Sequence, residues 1–255
     1  MKTYSLTLTL GFCLWSNLAP AEAKEKDQVE IKCLVPENKI ADISAKLDLA
    51  SRTPLIRVVC FFDTGSLALF QHDPKLILRS RYDSSDETDT TAKVRGGKVK
   101  GDDVECEFDK VCGKERTESC SVTSKKQELA EIKAANAGKD IKKIFSKKQE
   151  AVAKGAFGKI GWDKLQPYGP VEGVKVWKKI EMPGGPPLTA ERWELPARPG
   201  KPAKVLFEVS AKVPLSDEAK TSKWIVELLG VSKSGSEESE TKTRIVLDHF
   251  AKHSP

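Results

Sequence analysis

Histidine is scarce in this sequence: His72, His249 and His253 are the only three. No two cysteines stand in a C-x-x-C spacing either. A cysteine–histidine zinc site therefore has too few ligands, and a serine–histidine triad has few candidates for its base. The phosphate-cradling loop G-x-x-x-x-G-K-[ST] is missing, as is the G-x-S-x-G elbow. No helix-turn-helix, zinc-finger or aromatic-rich RNA-binding strand pattern occurs, so no specific nucleic acid recognition is expected. Long apolar runs are missing too. The run from Leu6 to Leu14 is short and diluted by Thr7 and Thr9, and no segment is long enough to span a bilayer.

What is present is a chain of 255 residues with a 39% hydrophobic fraction, enough for a sizeable core in one large domain or two small ones. Lys and Arg number 43 against 37 Asp and Glu, a net charge of +6, which suits an anionic ligand or surface. Residues 1–23 read as a secretory signal. Lys2 supplies the positive start, Leu6 to Leu14 the apolar run, and Ala21-Glu22-Ala23 the cleavage site. The mature protein is then expected to be secreted or periplasmic, without a membrane span. Cleavage leaves five cysteines, an odd number, so at least one is a free thiol or bridges to another molecule. Cys112 and Cys120 flank a polar loop and are the first choice for a disulfide. Cys33, Cys60 and Cys106 fall on expected strands, where they can serve as buried apolar residues.

The stretch from Val58 to Phe108 organises the rest. In a strand, side chains at i and i+2 share a face. Arg79 and Arg81 therefore point one way, as do Lys93 and Arg95, and Glu105 and Glu107. Leu78, Val94 and Cys106 point the other way. Such a face either lies in water on a half-exposed sheet or lines the interior of a closed barrel. Inside a barrel, clustered basic groups need an anion, and the arginine fork suits phosphate oxygens.

Around this stretch, residues 27–35 alternate as a strand, with Val29, Ile31 and Cys33 on one face. Pro36-Glu37-Asn38 opens a helix carrying Ile40, Ile43 and Leu47. Strands are expected over 55–63, 90–95 and 103–109, a hairpin over Leu67–Phe70 and Leu76–Tyr82, and an acidic loop over 83–89. Ser124-x-x-Gln127 is a capping-box pattern that opens a long Lys/Ala/Glu-rich helical stretch, interrupted at Gly138. Residues 155–173 read as loop. Val174–Ile180, Thr189–Leu195 and Val205–Val213 read as strands. Ser216 caps a helix with Trp224 and Leu228 that ends near Gly230. A polar linker over 231–240 leads to a closing element with Ile245, Leu247 and Phe250.

The order Val29-Glu30-Ile31-Lys32, a helix, Phe61-Phe62-Asp63-Thr64, Leu78-Arg79-Ser80-Arg81, Thr91-Ala92-Lys93 and Glu105-Cys106-Glu107 resembles the CYTH superfamily, the triphosphate tunnel metalloenzymes. The resemblance covers the amino-terminal half well and the rest loosely. It implies an α+β protein: a closed antiparallel eight-stranded β-barrel, or tunnel, with helices packed outside. The signal (1–23) would precede a tunnel domain (24–230), with the linker and closing element (231–255) after it. The resemblance also implies a triphosphate- or polyphosphate-containing ligand and a Mg²⁺ or Mn²⁺ cofactor. Lys32, Arg79, Arg81 and Lys93 match the family positions that hold the phosphates; Arg95 joins them by strand parity, and Arg192, with Lys175 and Lys212, is a further candidate from the later strands. Glu30, Glu107 and Glu208 would hold the metal, and Lys32 and Glu30 would be catalytic.

The acidic motifs depart from the family pattern. Where the family has E-x-E-x-K, this chain has Gln28-Val29-Glu30-Ile31-Lys32. Where it has a late E-x-E, this chain has Glu208-Val209-Ser210. An amide and a hydroxyl can coordinate a hard cation but bring no charge, so metal affinity is expected to fall. Two readings follow: a metal-dependent triphosphate or polyphosphate hydrolase, and a non-catalytic relative that binds the anion or merely keeps the fold.

Overall fold

The computed structural model describes residues 24–251 apart from 102, 126 and 232–240. The expected signal, and the linker beyond Val231, lie outside the described residues. In chain order the elements are β1 (Lys24–Val35), α1 (Ile40–Lys46), β2 (Leu55–Thr64), α2 (Ala68–Gln71), β3 (Lys75–Asp83), β4 (Thr88–Arg95), β5 (Glu105–Val111), β6 (Thr117–Lys125), α3 (Leu129–Asn136), α4 (Lys147–Phe157), β7 (Leu165–Ile180), β8 (Leu188–Leu195), β9 (Lys204–Pro214), α5 (Glu218–Leu229) and α6 (Lys242–Phe250). None of the helices is long and apolar enough to cross a membrane.

The strands close into one barrel in the order β1-β5-β6-β4-β3-β2-β7-β8-β9. This corrects the expected eight antiparallel strands: there are nine among the described residues, and β1 runs parallel to β5. The unexpected strand is β6. Its sequence, TESCSVTSK, carries Ser and Thr on one face and only Cys120 and Val122 as apolar residues on the other, so it reads as loop. Ser124 consequently lies on a strand rather than at a helix start. The capping box sits instead at Ser146 and Gln149, which opens α4. Gly138, with φ of +84°, stops α3 in a left-handed conformation open to glycine without strain.

Two other expectations change. The strand expected at Leu67–Phe70 is instead the helical turn α2, Ala68–Gln71, wound around the buried Asp63 carboxylate, which accepts 2.9 Å hydrogen bonds from the Leu69 and Phe70 amides. The glycine- and proline-rich segment expected as loop already belongs to β7 from Leu165. It pairs with β2 through two register shifts. At Gly169, inside the second shift, a Cβ would come within 3.1 Å of the Val59 carbonyl, so the chain can bulge there only without a side chain.

Alternation sorts the apolar residues onto two sides of the barrel wall. Val29, Ile31 and Cys33 of β1 and Val209 and Ala211 of β9 face outward under α1 and α5. Cys60, Phe62, Leu76, Leu78, Ala92 and Val94 face outward under α3 and α4. A third cluster fills one part of the barrel interior: Phe61, Ile77, Tyr168, Trp193 and Leu206, closed by Val246, Leu247 and Phe250 of α6. The closing element is thus packed against residues from inside the barrel. The disulfides also differ from the expected Cys112–Cys120 pair. Cys33 is joined to Cys112 and Cys106 to Cys120, because all four point outward from neighbouring strands or their ends. Cys60 is free and buried.

Candidate functional site

The rest of the barrel interior is polar and encloses a cavity of about 270 Å³. Inward residues of β1, β3, β4, β5 and β9 bring Glu30, Lys32, Arg79, Arg81, Lys93, Glu107 and Glu208 to its wall. As strand parity had it, Arg79, Arg81, Lys93 and Glu107 share the inner face while Leu78, Val94 and Cys106 lie on the opposite face, in the outer core.

At one side of the cavity the basic groups converge on a carboxylate. Asp109 of β5 is 3% exposed and lies 2.7 Å from Lys32, 2.7 Å from Lys93 and 2.9 Å from Arg95. Ser119 of β6 donates a further 2.7 Å hydrogen bond to it. Burial opposes the charge on Asp109, but Lys32, Lys93 and Arg95 outweigh it and hold the carboxyl well below the usual range. Burial likewise opposes the Lys32 ammonium, yet Glu30 at 2.8 Å and Asp109 raise its pKa. Lys93 is held low by burial and by repulsion from Lys32. Glu107 lies 3.6 Å from Lys93 and also receives Lys212.

A second charge group joins the C-terminal helix to the wall. The Lys242 ammonium of α6 meets Glu208 at 2.8 Å and Glu191 of β8, and sits 4.7 Å above the Trp193 ring. Burial disfavours the Glu191 carboxylate, but Lys242 outweighs it and brings the pKa down to about 2.

The third group is different. Arg81 is clamped by Asp89, its Nε 3.0 Å from each carboxylate oxygen. Among the described residues Arg79 has only a 3.3 Å contact to Thr91 Oγ1, and its Nε is buried without a hydrogen-bond partner. Burial, then the neighbouring Arg81, push its pKa down to about 9. Arg57 of β2 adds a third guanidinium and is lowered for the same two reasons. An unpartnered buried donor costs about 1–3 kcal/mol. This wall therefore carries positive charge and donor capacity that the described residues do not satisfy.

Arg95 stands behind Asp109 rather than on the cavity wall. Arg192 is not brought to the site: it faces outward and pairs with Glu194 at 3.0 Å. Lys175, opposite it in register, is exposed as well. The reason is the register of β8, where Glu191 and Trp193 take the inward positions. Four charged residues of the site were not anticipated: Asp109, Arg57, Glu191 and Lys242. Asp109 continues the parity of Glu105 and Glu107, and Arg57 that of Val59 and Phe61, so both carried a signal. Lys242 carried none: Ile245, Leu247 and Phe250 mark the closing element, but nothing local sets Lys242 against Glu191 and Glu208.

Glu30, Glu107 and Asp109 present carboxylate oxygens within 4.8 Å of one another. Their chemistry fits a hard divalent cation. The same oxygens already face Lys32 and Lys93, so a metal would compete with ammonium groups for them. Glu208 is not in this cluster, being held by Lys242.

No protein-family model and no curated protein matches the sequence. Solved structures do match. A candidate adenylate cyclase, bh2851 from Bacillus halodurans, is 13% identical, with a TM-score of 0.55 over 86% of this chain and 98% of that one. HpAC1 from Hippeastrum, a candidate adenylyl cyclase with a dominant triphosphatase activity, is 14% identical, with a TM-score of 0.53 over 86% and 94%. The likeness is one of fold. At that level the tunnel resemblance carried by the sequence motifs holds.

Proposed function

We propose that the cavity binds a compact polyanion, a triphosphate or short polyphosphate, at the wall formed by Arg57, Arg79 and Arg81. The observation that carries this reading is Arg79, which lines the charged cavity while its buried Nε has no hydrogen-bond partner among the described residues. Arginine forks match phosphate oxygens, and inside a barrel such contacts are less screened than at a surface. Lys32, Lys93 and Arg95 would extend the site once an incoming phosphate shares them with Asp109. The dominant triphosphatase activity of the structurally similar HpAC1 supports this ligand class.

Hydrolysis is the second reading, and the cluster of Glu30, Glu107 and Asp109 favours it. These residues would hold Mg²⁺ or Mn²⁺, which when bound would neutralise phosphate charge and polarise the bond to be cleaved. Lys32 would orient the ligand beside them. Against turnover stand Gln28 and Ser210, which replace family carboxylates, and the commitment of Glu208 to Lys242. Calorimetric titration with tripolyphosphate, with and without Mn²⁺, alongside phosphate release, separates the two. Binding without metal and without release supports the binder. Metal-dependent release that is lost in Glu30→Ala supports the hydrolase. No binding in either condition overturns the anion site.

Export of the mature chain is part of the proposal. The signal-like segment 1–23 and the two disulfides support an oxidising compartment. Mass analysis of the secreted fraction checks it: a chain beginning at Lys24 is expected, and an uncleaved intracellular chain would overturn it.

A further inference from the structure

We propose that the Cys33–Cys112 disulfide is a thiol-sensitive latch that positions β5, and with it Glu107 and Asp109, against the cavity. Its consequence for binding rests on the anion-site reading above; the latch itself does not.

Both disulfides hold the same strand. Cys106 ties β5 to Cys120 of β6, and Cys112, just beyond its other end, ties it to Cys33 of β1. Glu107 and Asp109 lie between the two attachments. On the β6 side the strand is paired antiparallel from Glu105 to Asp109. On the β1 side the pairing is parallel, and a register shift after Glu25 leaves Val29–Lys32 opposite Phe108–Val111 as its regular run. Parallel pairing is slightly weaker per residue. The latch closes at the end of that run. Cys33 follows Lys32, and the Cys112 amide donates to the Lys32 carbonyl at 2.8 Å. The bond thus fixes the two strands beside the 2.7 Å contact between Lys32 and Asp109.

Access distinguishes the two disulfides. Cys106 and Cys120 are 5% and 0% exposed, within the core packed under α3 and α4. Cys33 is as buried as they are, at 0%, but its partner Cys112 is half-buried and precedes the exposed residues 113–116. A reducing thiolate needs access to a sulfur. A dithiol reductant would attack the Cys112 sulfur and release Cys33 as a thiolate, which takes a proton. Its second thiol would then displace Cys112. Two electrons and two protons pass to the protein, which ends with two thiols, and the reductant ends as a cyclic disulfide.

The opening is local. Lys110 and Arg116 still hold the segment to Glu218 of α5 at 2.6 and 2.9 Å. With β5 loosened, Asp109 no longer fixes Lys32, Lys93 and Arg95 in one geometry, so a ligand must order them itself. Affinity for tripolyphosphate is expected to fall about tenfold through lost preorganisation.

The test uses the mature protein under graded dithiothreitol. Alkylation with mass mapping gives the order of opening, amide exchange follows β5 with α5 as control, and calorimetry follows tripolyphosphate. Cys33–Cys112 is expected to open first, with exchange rising in β5 but not α5 and tripolyphosphate binding weakening. Cys33→Ser with Cys112→Ser should show weaker binding without reductant and no further response to mild reductant. Opening of Cys106–Cys120 first, or unchanged β5 exchange after Cys33–Cys112 has opened, overturns the latch. If the double variant does not fold, the native titration decides alone. If tripolyphosphate binds in neither redox state, the anion-site reading falls, while opening order and exchange still decide the latch.

Discussion

Asp109 and Lys93 lie 2.7 Å apart although their strands are not neighbours: β6 runs between β5 and β4. The contact is possible because β6 turns Ser119, Ser121 and Thr123 inward, with Ser121 and Thr123 on the cavity wall. Small side chains leave room for a lysine and an aspartate to meet over them, and Ser119 joins the pair as a donor. The barrel has thus placed a carboxylate where its basic groups would otherwise repel one another.

Removing that carboxylate should show what it offsets. Asp109→Asn leaves Lys32, Lys93 and Arg95 facing an uncharged amide and is expected to cost about 3 kcal/mol, as for other broken buried ion pairs. Phosphate or tripolyphosphate should then raise the melting temperature of the variant more than that of the parent, since the anion takes over the missing charge. An equal rise in both proteins would show that no anion reaches this group.

Arg79 should behave in the opposite way. Its guanidinium is buried, unpaired with any carboxylate among the described residues, and left with an orphaned Nε. Arg79→Met keeps most of the side-chain volume and removes the desolvated charge. Stability is expected to stay level or rise, while tripolyphosphate affinity falls by about 2 kcal/mol, the scale of a charge-assisted hydrogen bond. Denaturant unfolding together with calorimetry checks both halves. A stability loss with unchanged affinity would make Arg79 a structural residue.

The Glu191–Lys242 pair sets an acid limit. The Glu191 carboxyl titrates at about 2 in the folded protein against an ordinary 4.5. Between those values the unfolded chain binds the extra proton, so stability rises with pH and the contribution is complete above the ordinary value. It is lost as pH falls towards about 2 and amounts to about 3 kcal/mol. In urea titrations, Glu191→Gln should be weaker than the parent at pH 6, with the gap narrowing steadily at pH 4 and pH 3. A gap independent of pH would show that packing, not charge, accounts for it.

Gln149 docks the helical excursion onto the barrel. Its side chain donates to the Thr90 and Val122 carbonyls at 2.7 and 3.2 Å and accepts from Thr90 Oγ1 and the Ser146 amide. Gln149→Ala strands these buried groups and should cost about 3 kcal/mol by chemical denaturation. A change within experimental error would mean that water reaches them.

How much of this was legible follows from the kinds of residue involved. Strands with an apolar face, such as β1 with Val29, Ile31 and Cys33, declared themselves by alternation. The inward pairs Arg79/Arg81 and Glu105/Glu107 followed from the same period. β6 did not, because its inward face is serine and threonine and its outward face gains much of its apolar character from a cysteine in a disulfide. Arg192 misled because parity within a strand fixes which residues share a face but not which face is inside; only pairing with β7 and β9 decides that for β8. Lys242 was invisible for a further reason. Its partners Glu191 and Glu208 lie 51 and 34 residues away, and sequence carries no local mark of such a meeting.

The pairing of β1 has a kinetic consequence. Its Glu30 lies opposite Asp109 on one side and Lys212 on the other, so each of its ladders closes a long stretch of chain. Loop closure of that span comes before any reward from the contacts, which places this barrel among slow folders. Neither edge of β1 can be satisfied locally, and the cavity has no complete wall until both are joined. A polyanion held by that wall would therefore recognise only the finished barrel. It would slow unfolding far more than it speeds folding.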